Sequence, residues 1–261
     1  MSRPMAGPNH GFTRWYTALQ QRFTGDLEFR ELRRALQAVS RIYVHERARV
    51  HRGEAFNSRG KRAAFALFYG TLHWLTVSGI VARLQAPLQA AGSIWDLGCG
   101  TGVGGAAWAT ASNQRVQVRG VDLSPWALQE ARWTYQQVQL PHKTLKKDVT
   151  AVRLPPGEAV LAAFSVNELS DTARQRMLSR LLDASAAGGP VLVVEPIAHT
   201  AVPWWPQWEE AFQSQGGRSD TWRLPAVLPD LVARLDRAAG MRHTELTARS
   251  LFMPGQAPAA V

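Results

Sequence analysis

Between residues 26 and 52 the apolar positions Leu32, Leu36, Val39, Ile42 and Tyr43 return every three or four residues, which predicts a helix with one buried face. The remaining positions carry Arg33, Arg34, Arg41, Arg47 and Arg49. A second stretch, KRAAFALFYGTLHWLTVSGIVARL from Lys61 to Leu84, is apolar enough to predict a helix buried against another body. Residues 1–90 therefore read as a helical N-terminal region.

After the small-residue linker at 89–92 the texture changes to strand, loop and helix in alternation. SIWDLG predicts a buried strand, VGGAAWATAS a helix, RVQVRGVDL a strand, and SPWALQEARWTYQQVQ a helix with Ser124 as N-cap and Pro125 at its first position. TLKKDV and AVLAAFSV predict strands, SDTARQRMLSRLLDASAAGG a helix ending on glycine, and PVLVVEPI a further strand. LPDLVARLDRAAG reads as a helix, and HTELTARSLFM alternates like a late strand or strand pair. This alternation predicts an α/β domain over 91–261, doubly wound around a mostly parallel sheet covered on both faces.

Composition narrows the partners. The chain has 261 residues, 46% of them hydrophobic, enough for one substantial core with a smaller appended part. No uninterrupted apolar run reaches bilayer length, and MSRPMAGPNHGF lacks the apolar middle of a secretory signal, so a cytoplasmic protein without a membrane partner is expected. The single cysteine, Cys99, excludes an internal disulfide and any Cys-rich zinc or iron–sulfur site, and no metal is expected. Of the net charge of +10, nearly all is N-terminal: residues 1–90 hold 14 Lys and Arg against 5 Asp and Glu. Such asymmetry favours a polyanion, and RNA carried on Arg33, Arg34, Arg41 and Arg47 is the expected partner, with solubility the plainer explanation.

The chemistry centres on DLGCGTGVGG, Asp96 to Gly105, which fits two nucleotide sites at once. GTGVGG has the G-x-G-x-x-G spacing of a dinucleotide loop, whereas Asp96, Gly98, Gly100 and Gly102 have the D-x-G-x-G-x-G spacing of an S-adenosylmethionine (SAM) loop. Asp122, at the end of the second predicted strand, serves ribose hydroxyls in either. Asp96 favours SAM, because a carboxylate there repels a pyrophosphate but suits a ligand whose methionine end carries an ammonium. Asp148, in KKDV at the end of the third strand, can accept a hydrogen bond from an adenine amino group.

These residues together resemble the class I SAM-dependent methyltransferases over about 91–253. The resemblance implies a Rossmann-like fold, SAM as cofactor, Gly98, Gly100 and Gly102 beside its methionine and ribose, Asp122 and Leu123 at the ribose, and Asp148 and Val149 at the adenine. Asn167-Glu168-Leu169 after the fourth strand, VVEP at the fifth and the basic helical N-terminus resemble a narrower group, methyltransferase-like proteins associated with small ribosomal subunit assembly. Mitochondrial members of that group carry cluster-binding cysteines that this chain lacks.

The fourth strand ends in FSVNELSD, so Ser165, Asn167 and Glu168 fall at the ligand-binding edge of such a sheet. Ser165 is expected beside the cofactor, Asn167 to orient a nucleophile, and Glu168 to act as base; turn formation and first-turn capping explain the last two otherwise. Tyr69 and His73, four apart on one helical face, are further candidates for covering the cofactor or taking a proton, and core packing accounts for them as well. His199, just beyond VVEPI, is a similar candidate, and Trp204 and Trp205 of HTAVPWWPQW suit stacking on bases or walling a substrate pocket, with packing of a loop onto the core explaining them equally well. The function expected is methyl transfer to an N or O nucleophile of RNA in a ribosomal context. A small molecule or peptide under an N-terminal lid, or a non-catalytic SAM-binding assembly factor, are the alternatives.

Overall fold

A computed structural model describes residues 10–25, 27–45, 56–86, 88, 92–112, 116–198 and 202–255, with the backbone alone at 43–45. Arg47, Arg49, His199 and the side chain of Tyr43 lie outside the described residues.

The strand β1 (Ser93–Leu97) is buried at all five positions, so it needs a neighbour on each edge and a layer on each face. Its neighbours are β2 (Gln117–Asp122) and β4 (Ala159–Ala163), both parallel. With β3 (His142–Lys146), β5 (Val191–Glu195), β6 (Arg218–Pro225) and β7 (Glu245–Met253) the sheet has seven strands in the order β3-β2-β1-β4-β5-β7-β6. β7 runs antiparallel to β5, Glu195 opposite Arg249, while the β3-β2, β2-β1, β1-β4 and β4-β5 pairs are parallel. The chain leaves β1 for β2 on one side and returns as β4 on the other. That reversal opens a crevice at the carboxyl end of β1, where the glycine loop lies.

The chain divides into two compact units, and the division does not follow residue 90. One unit comprises 1–73 and 225–246, the other 74–224 and 247–261. In the first, α1 (His10–Thr24), α2 (Phe29–His45) and the beginning of α3 (Arg59–Leu84) are joined by α8 (Asp230–Ala239). The predicted apolar stripe of α2, Leu32, Leu36, Val39 and Ile42, is buried. The late helix α8 belongs here because it is amphipathic in its own right: Val232 and Leu235 are buried, and Arg234 lies over the Phe29 ring of α2 at 4.8 Å. α3 is long and apolar enough to cross a membrane by length and composition, although no single run in the sequence is. Of its most apolar window 67% is buried within the protein, as in a core helix.

In the second unit α4 (Val103–Ala111) follows the left-handed Gly102, and α5 (Pro125–Gln137) and α6 (Asp171–Ala186) begin at serine caps. Ser124 Oγ accepts from Ala127 N, and Ser170 Oγ from Ala173 N. Two elements escape the sequence pattern. HTAVPWWPQW reads as a loop, yet Pro206 sits in the first turn of α7 (Trp205–Gln213), where a missing N–H costs nothing. Trp205, Trp208 and Phe212 then form the buried face of α7 and join Trp95, Leu97, Met177 and Leu181 in the core. The edge strand β6, RSDTWRLP, is too polar to show alternation.

Candidate active site

Three left-handed glycines shape the loop after β1: Gly98 at φ 71°, Gly100 at 51° and Gly102 at 78°. Their environments differ. A Cβ on Gly98 would stand 2.5 Å from Ser165 Cβ, and one on Gly102 would stand 2.9 Å from Ala131 Cα, so both glycines permit close packing within the protein. A Cβ on Gly100 would meet nothing within 4 Å. The loop thus presents bare backbone to open space at Gly100, which is what a ligand approaching the main chain requires.

Two acids hold this loop. Asp122 Oδ2 accepts from Gly100 N at 2.9 Å and Oδ1 from Ser124 N at 2.8 Å, which ties the loop to the end of β2. A carboxylate has about four acceptor positions, so two remain for a pair of hydroxyls. Asp96 is buried beneath the loop, where Oδ2 accepts from Gly105 N at 2.9 Å in the first turn of α4 and from Tyr135 Oη at 3.3 Å. Burial pushes its carboxyl up to about 7, against the opposing pull of those two bonds. Gly105 is a packing residue, since a Cβ there would lie 2.7 Å from Asp96 Oδ2 and 2.8 Å from Val118 Cγ1.

Along the same edge of the sheet, Leu123 is 63% exposed immediately beyond Asp122. Asp148 is also exposed; its Oδ1 accepts from both the N and the hydroxyl of Thr150 at 2.8 Å, leaving Oδ2 for another donor. Those two bonds, the backbone one foremost, hold its carboxyl below the usual range, and Arg176 adds to the effect. Val149 begins a single 3-10 turn, Val149–Ala151, and packs half-buried on the core. Bare backbone, a ribose-type acceptor, an apolar side chain and an amine acceptor in series fit an adenosyl ligand.

Residues 94–189 match the model of a family described as methyltransferase domain. That segment is similar to a methyltransferase domain. No curated protein matches the chain. Among solved structures, a candidate O-methyltransferase from Nostoc punctiforme is 14% identical, with 76% of this chain and 62% of that one covered and a TM-score of 0.52. Magnesium protoporphyrin IX methyltransferase from Synechocystis is 15% identical, covering 84% and 95%, with a TM-score of 0.48. A SAM-dependent methyltransferase from Aquifex aeolicus is 12% identical, covering 69% and 90%, with a TM-score of 0.48. The first of these likenesses shows a shared fold.

The glycine loop and the turns beside it place Asp96, Gly98, Gly100, Gly102, Asp122 and Ser165 together at the carboxyl end of β1. Ser165 Oγ donates to Leu97 O at 2.9 Å, locking the turn after β4 against the glycine loop. Phe164, at φ 56°, takes a left-handed conformation that a bulky residue adopts only under constraint, with its N–H donating to Val194 O at 2.7 Å. Asn167 and Glu168 follow in a 3-10 turn, Val166–Glu168, both half-buried. Asn167 Oδ1 is buried without a hydrogen-bond partner among the described residues.

A residue that no motif in the sequence points to anchors this turn. Glu195, fully buried at the end of β5, accepts from Val166 N at 2.8 Å and Asn167 N at 3.3 Å through Oε1, while Oε2 has no partner among the described residues. Burial lifts its carboxyl to about 8, and the charge of Glu168 contributes in the same direction. The available signal was one acid closing the apolar run VLVVE.

Cys99 is buried and its thiol pushed well up, by burial first and then by the charges of Asp96 and Asp122, so it is a packing residue and not a nucleophile. Trp204 and Trp205 pack with Trp208, ring centroids 5.6 Å apart for Trp204–Trp205 and 4.7 Å for Trp204–Trp208; Trp205 is buried in the core and is no base-stacking surface. Tyr69 and His73 belong to the first unit, whereas the glycine loop belongs to the second. Tyr69 closes a π-helical turn of α3, Phe65–Tyr69, and its hydroxyl is raised by burial despite a bond with Ser40. Burial drives His73 down to about 4, so it is neutral at pH 7.

Proposed function

We propose that the chain transfers methyl groups from SAM to an N or O nucleophile of RNA, in the cytoplasm and in the context of ribosome assembly. SAM, when bound, supplies an electrophilic methyl on a sulfonium centre. Displacement at such a carbon is in-line, so orientation and exclusion of water supply most of the acceleration. The protein's part is then positional. Asp122 and Asp148 fix the two ends of the nucleoside, Ser165 sets the floor, and the turn carrying Asn167 and Glu168 meets the acceptor. Asn167 can take a hydrogen bond from the acceptor's N–H or O–H, and Glu168 can receive its proton.

The observation that supports RNA is the exposed face of α2. Arg30, Arg34, Gln37 and Arg41 are exposed at spacings of four, three and four, opposite the buried stripe, and Arg33 is half-buried beside them. Three guanidiniums on one helix face, along about 16 Å of axis, form a row suited to successive phosphates. Arg47 falls outside the described residues. The test is transfer of labelled methyl from SAM to separated RNA, protein and metabolite pools. Label in RNA alone supports the proposal. Label in metabolites or protein replaces RNA by that substrate, and SAM binding with no transfer to any pool makes the chain a non-catalytic factor.

A further inference from the structure

We infer that the methyltransferase domain carries a second RNA-docking surface of its own, the outer face of the edge strand β3. This inference rests on RNA being the substrate. The sequence alone hides the surface, because the charge of residues 91–261 nearly balances; the fold concentrates cations on one edge. His142-Lys143-Thr144-Leu145-Lys146-Lys147 contains three lysines and no acid, and all three lysines are exposed. None of the three is in an ion pair with a described residue.

Strand geometry sorts these residues. Alternate side chains share a face, so Lys143, Leu145 and, one step past the strand, Lys147 form one row, while Thr144 and Lys146 face the other way. Thr144 Oγ1 accepts from Arg132 Nε of α5 at 2.6 Å, so the Thr144 face is the one α5 covers. The Lys143 face lies open because the connection from β3 to β4 holds only the 3-10 turn Val149–Ala151 and no α-helix. Leu145 is accordingly 37% exposed. Register extends the row inward: Lys143 pairs with Arg119 of β2, itself over the Trp95 ring at 5.3 Å. Arg176 of α6 acts electrostatically on Asp148 just beyond Lys147.

An edge strand needs lysine to repel other edges, and one or two serve that end. Here the cations alternate with an exposed leucine and the row ends beside the adenine-binding acid, with Leu123 exposed one strand in. Phosphates can pair with Lys143 and Lys147 while sugars and bases rest on the apolar side chains between them, a combination suited to a single-stranded polyanion with flat bases. The acceptor nucleotide would then leave the nucleoside pocket along this edge. Asp148 and Asp122 are the carboxylates facing this end of the surface, and both are engaged by backbone N–H groups.

The experiment measures binding of a fluorescent single-stranded RNA oligonucleotide to the full chain across a salt series, with SAM affinity followed in parallel. Lys143→Gln/Lys147→Gln is expected to bind RNA about tenfold more weakly and to flatten the log–log salt slope by about 1.4, two single-strand phosphate contacts. Lys143→Arg/Lys147→Arg should bind as wild type, and SAM affinity should be unchanged in both. Wild-type RNA binding by the glutamine variant, alongside weakening in Arg34→Gln/Arg41→Gln, would overturn this surface and leave the RNA substrate standing. Equal loss in the arginine variant, or loss of SAM affinity with RNA affinity, would also overturn it. A wild-type chain that binds no RNA would overturn both proposals.

Discussion

Gly100 and Gly102 look alike in the sequence and differ in what surrounds them. At Gly102 an added Cβ meets Ala131 main chain at 2.9 Å and the residue must stay at φ 78°, so Gly102→Ala suffers both a clash and left-handed strain. Its melting temperature should fall by the equivalent of about 3 kcal/mol. At Gly100 only the conformational cost applies, about 1 kcal/mol, because the added methyl enters open space. Gly100→Ala should therefore fold nearly normally and lose SAM affinity at least tenfold, as thermal unfolding and calorimetry on the same preparations would show. Equal SAM affinity in wild type and Gly100→Ala would remove the ligand from that side of the loop. The glycine pattern placed this loop correctly, but which glycine serves packing and which serves ligand depends on Ala131, Tyr135 and Ser165, which no spacing within the motif reveals.

Among the elements, β1 and β5 each carry a buried carboxyl at their carboxyl ends under a turn, Asp96 below the glycine loop and Glu195 below the Asn167 turn. Both are held above their ordinary values, up to about 7 and about 8, so the folded protein binds these protons more tightly than the unfolded chain does. Their contribution is fully present below about pH 4 and is lost as pH rises, through 7 for Asp96 and 8 for Glu195. Denaturant unfolding should thus show stability declining from pH 5, by on the order of 1 kcal/mol per unit for each group, until pH passes 7 for Asp96 and 8 for Glu195. Glu195→Gln, which keeps an acceptor for Val166 N and Asn167 N, should remove much of that decline; an unaltered pH profile would mean Glu195 stays ionised throughout. The parallel strands and their helices were legible because alternation of apolar strands with capped helices is a local signal. Glu195 was not, since its role depends on β4 and β5 lying side by side. The helix α7 was hidden by prolines and tryptophans that look like a loop until Trp205, Trp208 and Phe212 find a core to face.

At the scale of the whole molecule, charge and fold divide the work. The first unit carries the arginine face of α2, and α8 joins it from late in the chain, a union that a linear boundary at residue 90 could not foresee. Arg34→Gln/Arg41→Gln should weaken RNA binding severalfold at moderate salt and reduce its salt slope while leaving SAM affinity alone; RNA binding indifferent to both substitutions and salt would remove α2 from the interface. The cofactor assignment turns on what occupies the crevice at the carboxyl end of β1. The deciding measurement is calorimetric titration of the wild-type chain and Asp122→Ala with SAM and, separately, with NADH. Wild type should bind SAM and not NADH, with affinity for SAM falling at least tenfold in Asp122→Ala, about 1.4 kcal/mol or more. NADH binding without SAM binding would contradict it.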